Sequence, residues 1–116
     1  MKKVKKLSLT QKRNNKALLS TRTSIIYNCY NKNSKSFSTY GAKGITVCNE
    51  WRYNLNEFRK WAYDNKYRKG KIISRIDKTK GYYPENCRIL TLKQHMLTIR
   101  RQSTISLYFL FDAELI

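Results

Sequence analysis

Apolar residues recur at helical spacing in three stretches of the chain and at strand spacing in three shorter ones. Leu18, Ile25 and Cys29, with Ile26 beside them, predict a helix from Asn14 or Asn15 to Tyr30. The hydroxyl cluster from Ser20 to Ser24 works against it. Asn31 to Ser38 is a polar loop, and Tyr40-Gly41-Ala42-Lys43-Gly44 is a turn into a short strand, Ile45 to Cys48, with Ile45 and Val47 on one face. A second helix is expected from Leu55 to Asp64. Its apolar stripe is Leu55, Phe58 and Ala62 with Trp61, and Arg59 and Lys60 extend its basic side. Asn54 is its N-cap, with Glu57 reaching back to the Asn54 amide.

After Gly70, the residues from Lys71 to Asp77 alternate as a strand, with Ile72, Ser74 and Ile76 on one side and Ile73, Arg75 and Asp77 on the other. A loop over Lys78 to Asn86 holds Gly81 and the only proline, Pro84. Cys87 to Leu90 returns as a strand. Thr91 and Gln94 then form a capping box for a helix from Leu92 to about Arg101, with Leu92, Met96 and Ile99 as its buried stripe. The expected fold is a single α+β domain: a strand-helix module followed by strand, long loop, strand and helix.

Charge changes the picture most. The 116 residues hold 25 Lys or Arg against 7 Asp or Glu, a formal +18. Such an excess repels itself, and a polyanion relieves it while releasing its own counterions. Nucleic acid is therefore the expected partner. The distribution divides the chain in three. Residues 1–16 carry seven basic and no acidic residues and read as a basic flexible arm. Residues 17–102 form the domain. Residues 103–116 hold Leu107 to Phe111, two acids and no cation, an apolar tail suited to packing or self-association. No apolar run is long enough to cross a bilayer and no secretory signal is visible, so a cytoplasmic protein is expected. Aromatics lie beside cations, as in Trp51-Arg52-Tyr53, Arg59-Lys60-Trp61 and Lys66-Tyr67-Arg68. Such rings stack on bases or fill a core; for Trp51 and Trp61 the core is expected. Cys29, Cys48 and Cys87 are too widely spaced for a disulfide framework, and with His95 they make only a weak zinc pattern.

Part of the chain resembles a family. Tyr40-Gly41-Ala42-Lys43-Gly44-Ile45-Thr46-Val47-Cys48-Asn49-Glu50-Trp51 is similar to the "YGGRGI-x-VC-x-EW" block of phage HNH-type homing endonucleases. Phe58-Arg59-Lys60-Trp61 follows where that family has "F-x-x-W". Gly70 to Asp77, Gly81 and Tyr83-Pro84-Glu85-Asn86-Cys87-Arg88-Ile89 stand in the order of its "G-x-x-LDRID", glycine turn and "Y-SPENCRW-AT". The resemblance spans residues 27–101.

It implies a ββα unit holding one magnesium or manganese ion, a general-base His at the end of the first strand, an Asn that orients that His, and a metal ligand on the helix. Carried onto this chain, Asn86 matches the orienting Asn. Arg75 stands where the base would be and cannot deprotonate at neutral pH. Ser74 replaces the metal-binding Asp. His95 is the helix residue left as a ligand, with Asp77 as its partner in a rearranged metal site. The motif is eroded, so the expected function is DNA binding without a required cofactor. A metal-dependent nicking endonuclease, an inhibitor of a host nucleoprotein complex and an RNA binder are the alternatives. The expected nucleic-acid contacts are Lys43, Arg52, Arg59, Lys66, Arg75, Lys78, Lys80, Arg88, Lys93, Arg100 and Arg101.

Overall fold

The computed structural model of the protein describes residues 6–99. The start of the basic arm, Arg100, Arg101 and the apolar tail lie outside the described residues. Four helices and a two-stranded antiparallel sheet make a small α+β domain. They are α1 (Leu9–Tyr30), α2 (Asn49–Tyr53), α3 (Leu55–Asp64), β1 (Ile72–Arg75), β2 (Cys87–Leu90) and α4 over residues 92–99.

Helix α1 begins at Leu9, several residues before the predicted start, so residues 9–16 are helical. Ser8 caps it: its hydroxyl accepts from the Gln11 amide, and the Gln11 side chain accepts from the Ser8 amide. The early turns are also docked. Asn14 Oδ1 accepts from the Lys69 amide at 2.8 Å, and the Tyr63 hydroxyl donates to Asn15 Oδ1. The sequence pattern missed this because the added turns meet the domain through amide side chains. Leu18 and Cys29 are the fully buried positions of α1; Ile25 and Ile26 pack at the edge.

Between α1 and α2, Gly41 lies so close to Phe37 and the Cys29 carbonyl that a β-carbon would collide with both. Ile45 and Val47 are buried, as expected, but the predicted strand reduces to one parallel bridge, Val47 to Tyr82. The Tyr82 amide donates to Thr46 O at 2.7 Å, and the Cys48 amide to Tyr82 O at 2.9 Å. Gly81 sits against the Thr46 backbone, where a side chain would not fit.

A short helix, α2, was not expected. Its last turn takes the Asn54 amide, which donates to Glu50 O; Glu57 therefore does not close a capping box. Asn54 still caps α3, accepting from the Asn56 and Glu57 amides. Trp51, Phe58 and Trp61 form an aromatic cluster, with Trp51 and Phe58 edge to face at 5.2 Å. Trp51 and Phe58 lie in the core with Ala62, and Trp61 packs beside them.

Strands β1 and β2 pair Ile72 with Leu90, Ile73 with Ile89, Ser74 with Arg88 and Arg75 with Cys87. Ile73 and Ile89 pack on the core, so Arg75 and Cys87 share that side; Ser74 and Arg88 look the other way. Helix α4 carries its predicted Thr91–Gln94 capping box. Its predicted stripe is corrected: Leu92, Met96 and Ile99 are all exposed, while His95 and Thr98 are half-buried. Two four-residue strands offer too narrow a surface to cover three long apolar side chains, and the packed face is rotated by one residue.

Candidate nucleic-acid interface

Arg75 and Asn86 hold the long loop from inside. Arg75 is 8% exposed. Its Nη1 donates to the carbonyls of Lys78 and Lys80, both at 2.8 Å, and its guanidinium lies 5.2 and 5.1 Å from the ring centres of Tyr40 and Tyr82. A cation tolerates this site because carbonyls and aromatic faces replace the water it loses. Asn86 is 4% exposed. Its Oδ1 accepts from the Asp77 amide at 2.9 Å, and its Nδ2 donates to the carbonyls of Asp77 and Gly81 at 3.1 and 2.8 Å. Both amide hydrogens are thereby engaged by backbone. The Asn86 amide group and Arg75 Nη1 are thus taken up by the loop. Arg75 was also expected among the nucleic-acid contacts, and the structure places it beneath the surface.

On the opposite face of the hairpin Ser74 is itself buried and Arg88 is exposed. Lys78 Nζ donates to Ser74 Oγ at 3.3 Å, and Arg88 lies across from Ser74 in register. The Lys78 side chain is exposed as a whole, yet its ammonium end is drawn against the hairpin. Partial burial, then the charges of Arg75 and Arg88, lower its pKa below the ordinary lysine value. Arg88, Leu90, Gln94, Leu97 and Thr98 line a cleft of about 240 Å³ between β2 and α4.

The candidate metal donors are Ser74, Asp77 and His95. Where a carboxylate would be needed, Ser74 offers a neutral hydroxyl with an ammonium against it. Asp77 Oδ1 already accepts from the Thr79 hydroxyl and amide, which holds its pKa below the usual carboxylate range. His95 Nδ1 is buried without a hydrogen-bond partner among the described residues. No group of three or more His, Cys, Asp or Glu is placed to hold a metal among them either, so the zinc pattern of Cys29, Cys48, Cys87 and His95 does not come together there. All three thiols are free, and burial raises each of their pKa values, that of Cys87 to about 11.

The carboxylates are segregated. Between Lys6 and Ile99 the chain has five: Glu50, Glu57, Asp64, Asp77 and Glu85. Four of them, all but Asp77, line one cleft of about 510 Å³ between α2, α3 and the turn at Pro84. Lysine and arginine side chains that donate hydrogen bonds within the described residues give them to backbone carbonyls or a hydroxyl: Arg22, Lys71, Arg75 and Lys78. The cationic surface is thus largely unneutralised by the protein itself.

Of the remaining expected contacts, Lys43, Lys66, Lys80, Arg88 and Lys93 are exposed. Arg59 is half-buried, with its Nε lacking a partner among the described residues. Arg52 is half-buried, with its guanidinium 3.6 Å from the centre of the Tyr30 ring. The sequence reading passed over Arg22. It reaches from α1 to the end of α2, where Nε and Nη2 donate to the carbonyls of Trp51 and Arg52 at 2.8 and 2.7 Å. A contact across some 30 positions leaves no local signal. Among the described residues no helix is long and apolar enough to cross a membrane. No family model matches the chain, and no curated protein or solved structure matches it.

Proposed function

We propose that the protein binds nucleic acid, duplex DNA foremost, through its phosphates and without a metal ion. The observation that carries this reading is the segregation of charge: four of the five carboxylates between Lys6 and Ile99, Glu85 of the hairpin loop among them, line one cleft, while Lys78, Lys80 and Arg88 of the hairpin lie outside it. Lys78 and Arg88 are exposed on the hairpin on either side of the buried Ser74, two cations that can meet phosphate oxygens. The succession of strand, loop, strand and helix over residues 72–99 supports reading this region as a ββα unit of the HNH kind, of phage or mobile-element descent, adapted from cutting to holding. Free thiols suit the reducing cytoplasm in which such a protein meets its ligand.

The test is affinity for a short DNA duplex measured against salt, with magnesium or manganese and a gel readout of cleavage on the same samples. Affinity should fall about a thousandfold between roughly 50 and 200 mM salt, and the DNA should stay intact. Metal-dependent nicking by the folded wild-type protein would replace this reading with the enzymatic one. Indifference to DNA and RNA alike in dilute buffer would end it.

A further inference from the structure

A second basic feature lies away from the hairpin, between the last turns of α1 and the end of α2. Arg22, Ile26, Tyr27, Tyr30, Lys32 and Arg52 are the main walls of a groove of about 580 Å³, and among the described residues no carboxylate lines it. That volume falls within the range of ligand-sized clefts, about 300–1,000 Å³. Its walls hold two tyrosines and three cations, with Thr23, Ile26 and Asn31 among them. Tyr27 is 43% exposed, and Tyr53, beyond Arg52, is 71% exposed. The Arg52 guanidinium lies between rings, 3.6 Å from the centre of Tyr30 and 5.1 Å from that of Tyr53.

These groups are held before any ligand arrives. The Tyr30 hydroxyl accepts from the Val47 amide at 3.0 Å and donates to the Val47 carbonyl at 3.3 Å, which fixes the ring beneath Arg52. Arg22 ties the two carbonyls at the end of α2 to α1, which fixes the groove's width. A preorganised wall of this kind loses little entropy on binding.

We infer that this groove, together with the exposed Tyr53 ring beside Arg52, takes unpaired nucleotides of a single strand, with bases stacking on Tyr27 in the groove and on Tyr53 next to it and phosphates meeting Arg52 and Lys32. The inference rests on the nucleic-acid reading above and deepens it, since a paired base has no free face to offer a tyrosine. Stacking is indifferent to base identity, so the groove should accept single-stranded DNA and RNA with little sequence preference.

The experiment uses the full chain and two fluorescent ligands, an oligothymidylate of about a dozen nucleotides and a duplex of equal length, compared by anisotropy. Tyr27→Ala and Tyr53→Ala should each weaken single-strand binding about tenfold and leave duplex binding within about twofold. Tyr27→Phe, which keeps the ring, should bind the single strand as the wild type does. Equal losses on both ligands, or none on the oligothymidylate, would overturn the groove assignment. So would a wild-type protein that binds duplex but not single strand, and that result leaves the hairpin reading standing. Failure on both ligands removes the two readings together. Matched thermal unfolding of the variants excludes misfolding as the cause; both tyrosines are exposed, so their truncation spares the core.

Discussion

The two sides of the hairpin are a single residue apart in sequence and opposite in what they do with charge. Arg75, on the core side, spends its guanidinium on two carbonyls and two tyrosine rings. Lys78 and Arg88, on the other side, have a serine hydroxyl between them and no anion. One cation stabilises because its surroundings were built to replace water. The others leave electrostatic repulsion in the folded protein that a bound anion would relieve. Exposure therefore matters more than the residue type: burial makes Arg75 part of the scaffold, and exposure leaves Arg88 facing solvent.

The largest effect should come from breaking the scaffold side. Asn86→Ala removes three hydrogen bonds to loop backbone and strands the Asp77 amide and the Gly81 carbonyl. Unfolding by denaturant should show a loss of about 3 kcal/mol, from groups left unpaired as well as bonds lost. An unchanged midpoint would mean that the loop is not held from within.

A smaller and opposite effect is expected on the ligand side. Lys78→Met should lower the salt dependence of DNA binding by about one phosphate contact and weaken affinity several-fold. It should also raise the thermal midpoint slightly at neutral pH. The sign follows from linkage. The folded-state pKa of Lys78 is lowered from the ordinary 10.5, so the unfolded chain holds this proton more tightly and the charged lysine disfavours folding. That penalty is complete below the folded-state pKa and fades as pH rises through it toward 10.5. The gain from Lys78→Met should accordingly shrink in alkaline buffer. A destabilised variant, or a gain that grows with pH, would show that the ammonium is favourably partnered in the fold.

The smallest effect should lie at the acidic cleft. Neutralising Glu57 and Asp64 to Gln and Asn should leave DNA affinity within about twofold, with a slight gain at low salt, because screening confines each charge to its own neighbourhood. A large change in affinity would place the acidic cleft close to the bound phosphates and undo the segregation.

Local chemistry fixed much of this in advance. Leu55–Asp64 and its Asn54 cap, Cys87–Leu90, and the Thr91–Gln94 capping box follow from periodicity and from side chains that bond their own backbone within three residues. The charge excess and the alternation that separates Ser74 from Arg75 are also written in the residues. Long-range pairing alone decided the rest. The strand at Ile45–Cys48 shrank to one bridge because Tyr82 was its only partner. The start of α1 depended on Asn14 and Asn15 finding residues some fifty positions away. Arg22 acquired its role only when α2 ended beside it. The sequence alone determined which residues are charged, which faces of an element they share, and that the whole carries far more cation than anion. Only the tertiary structure decided which cations are consumed by the protein's own carbonyls and rings and which stay free. Burial and partnership are properties of neighbours in space, and no local pattern encodes them.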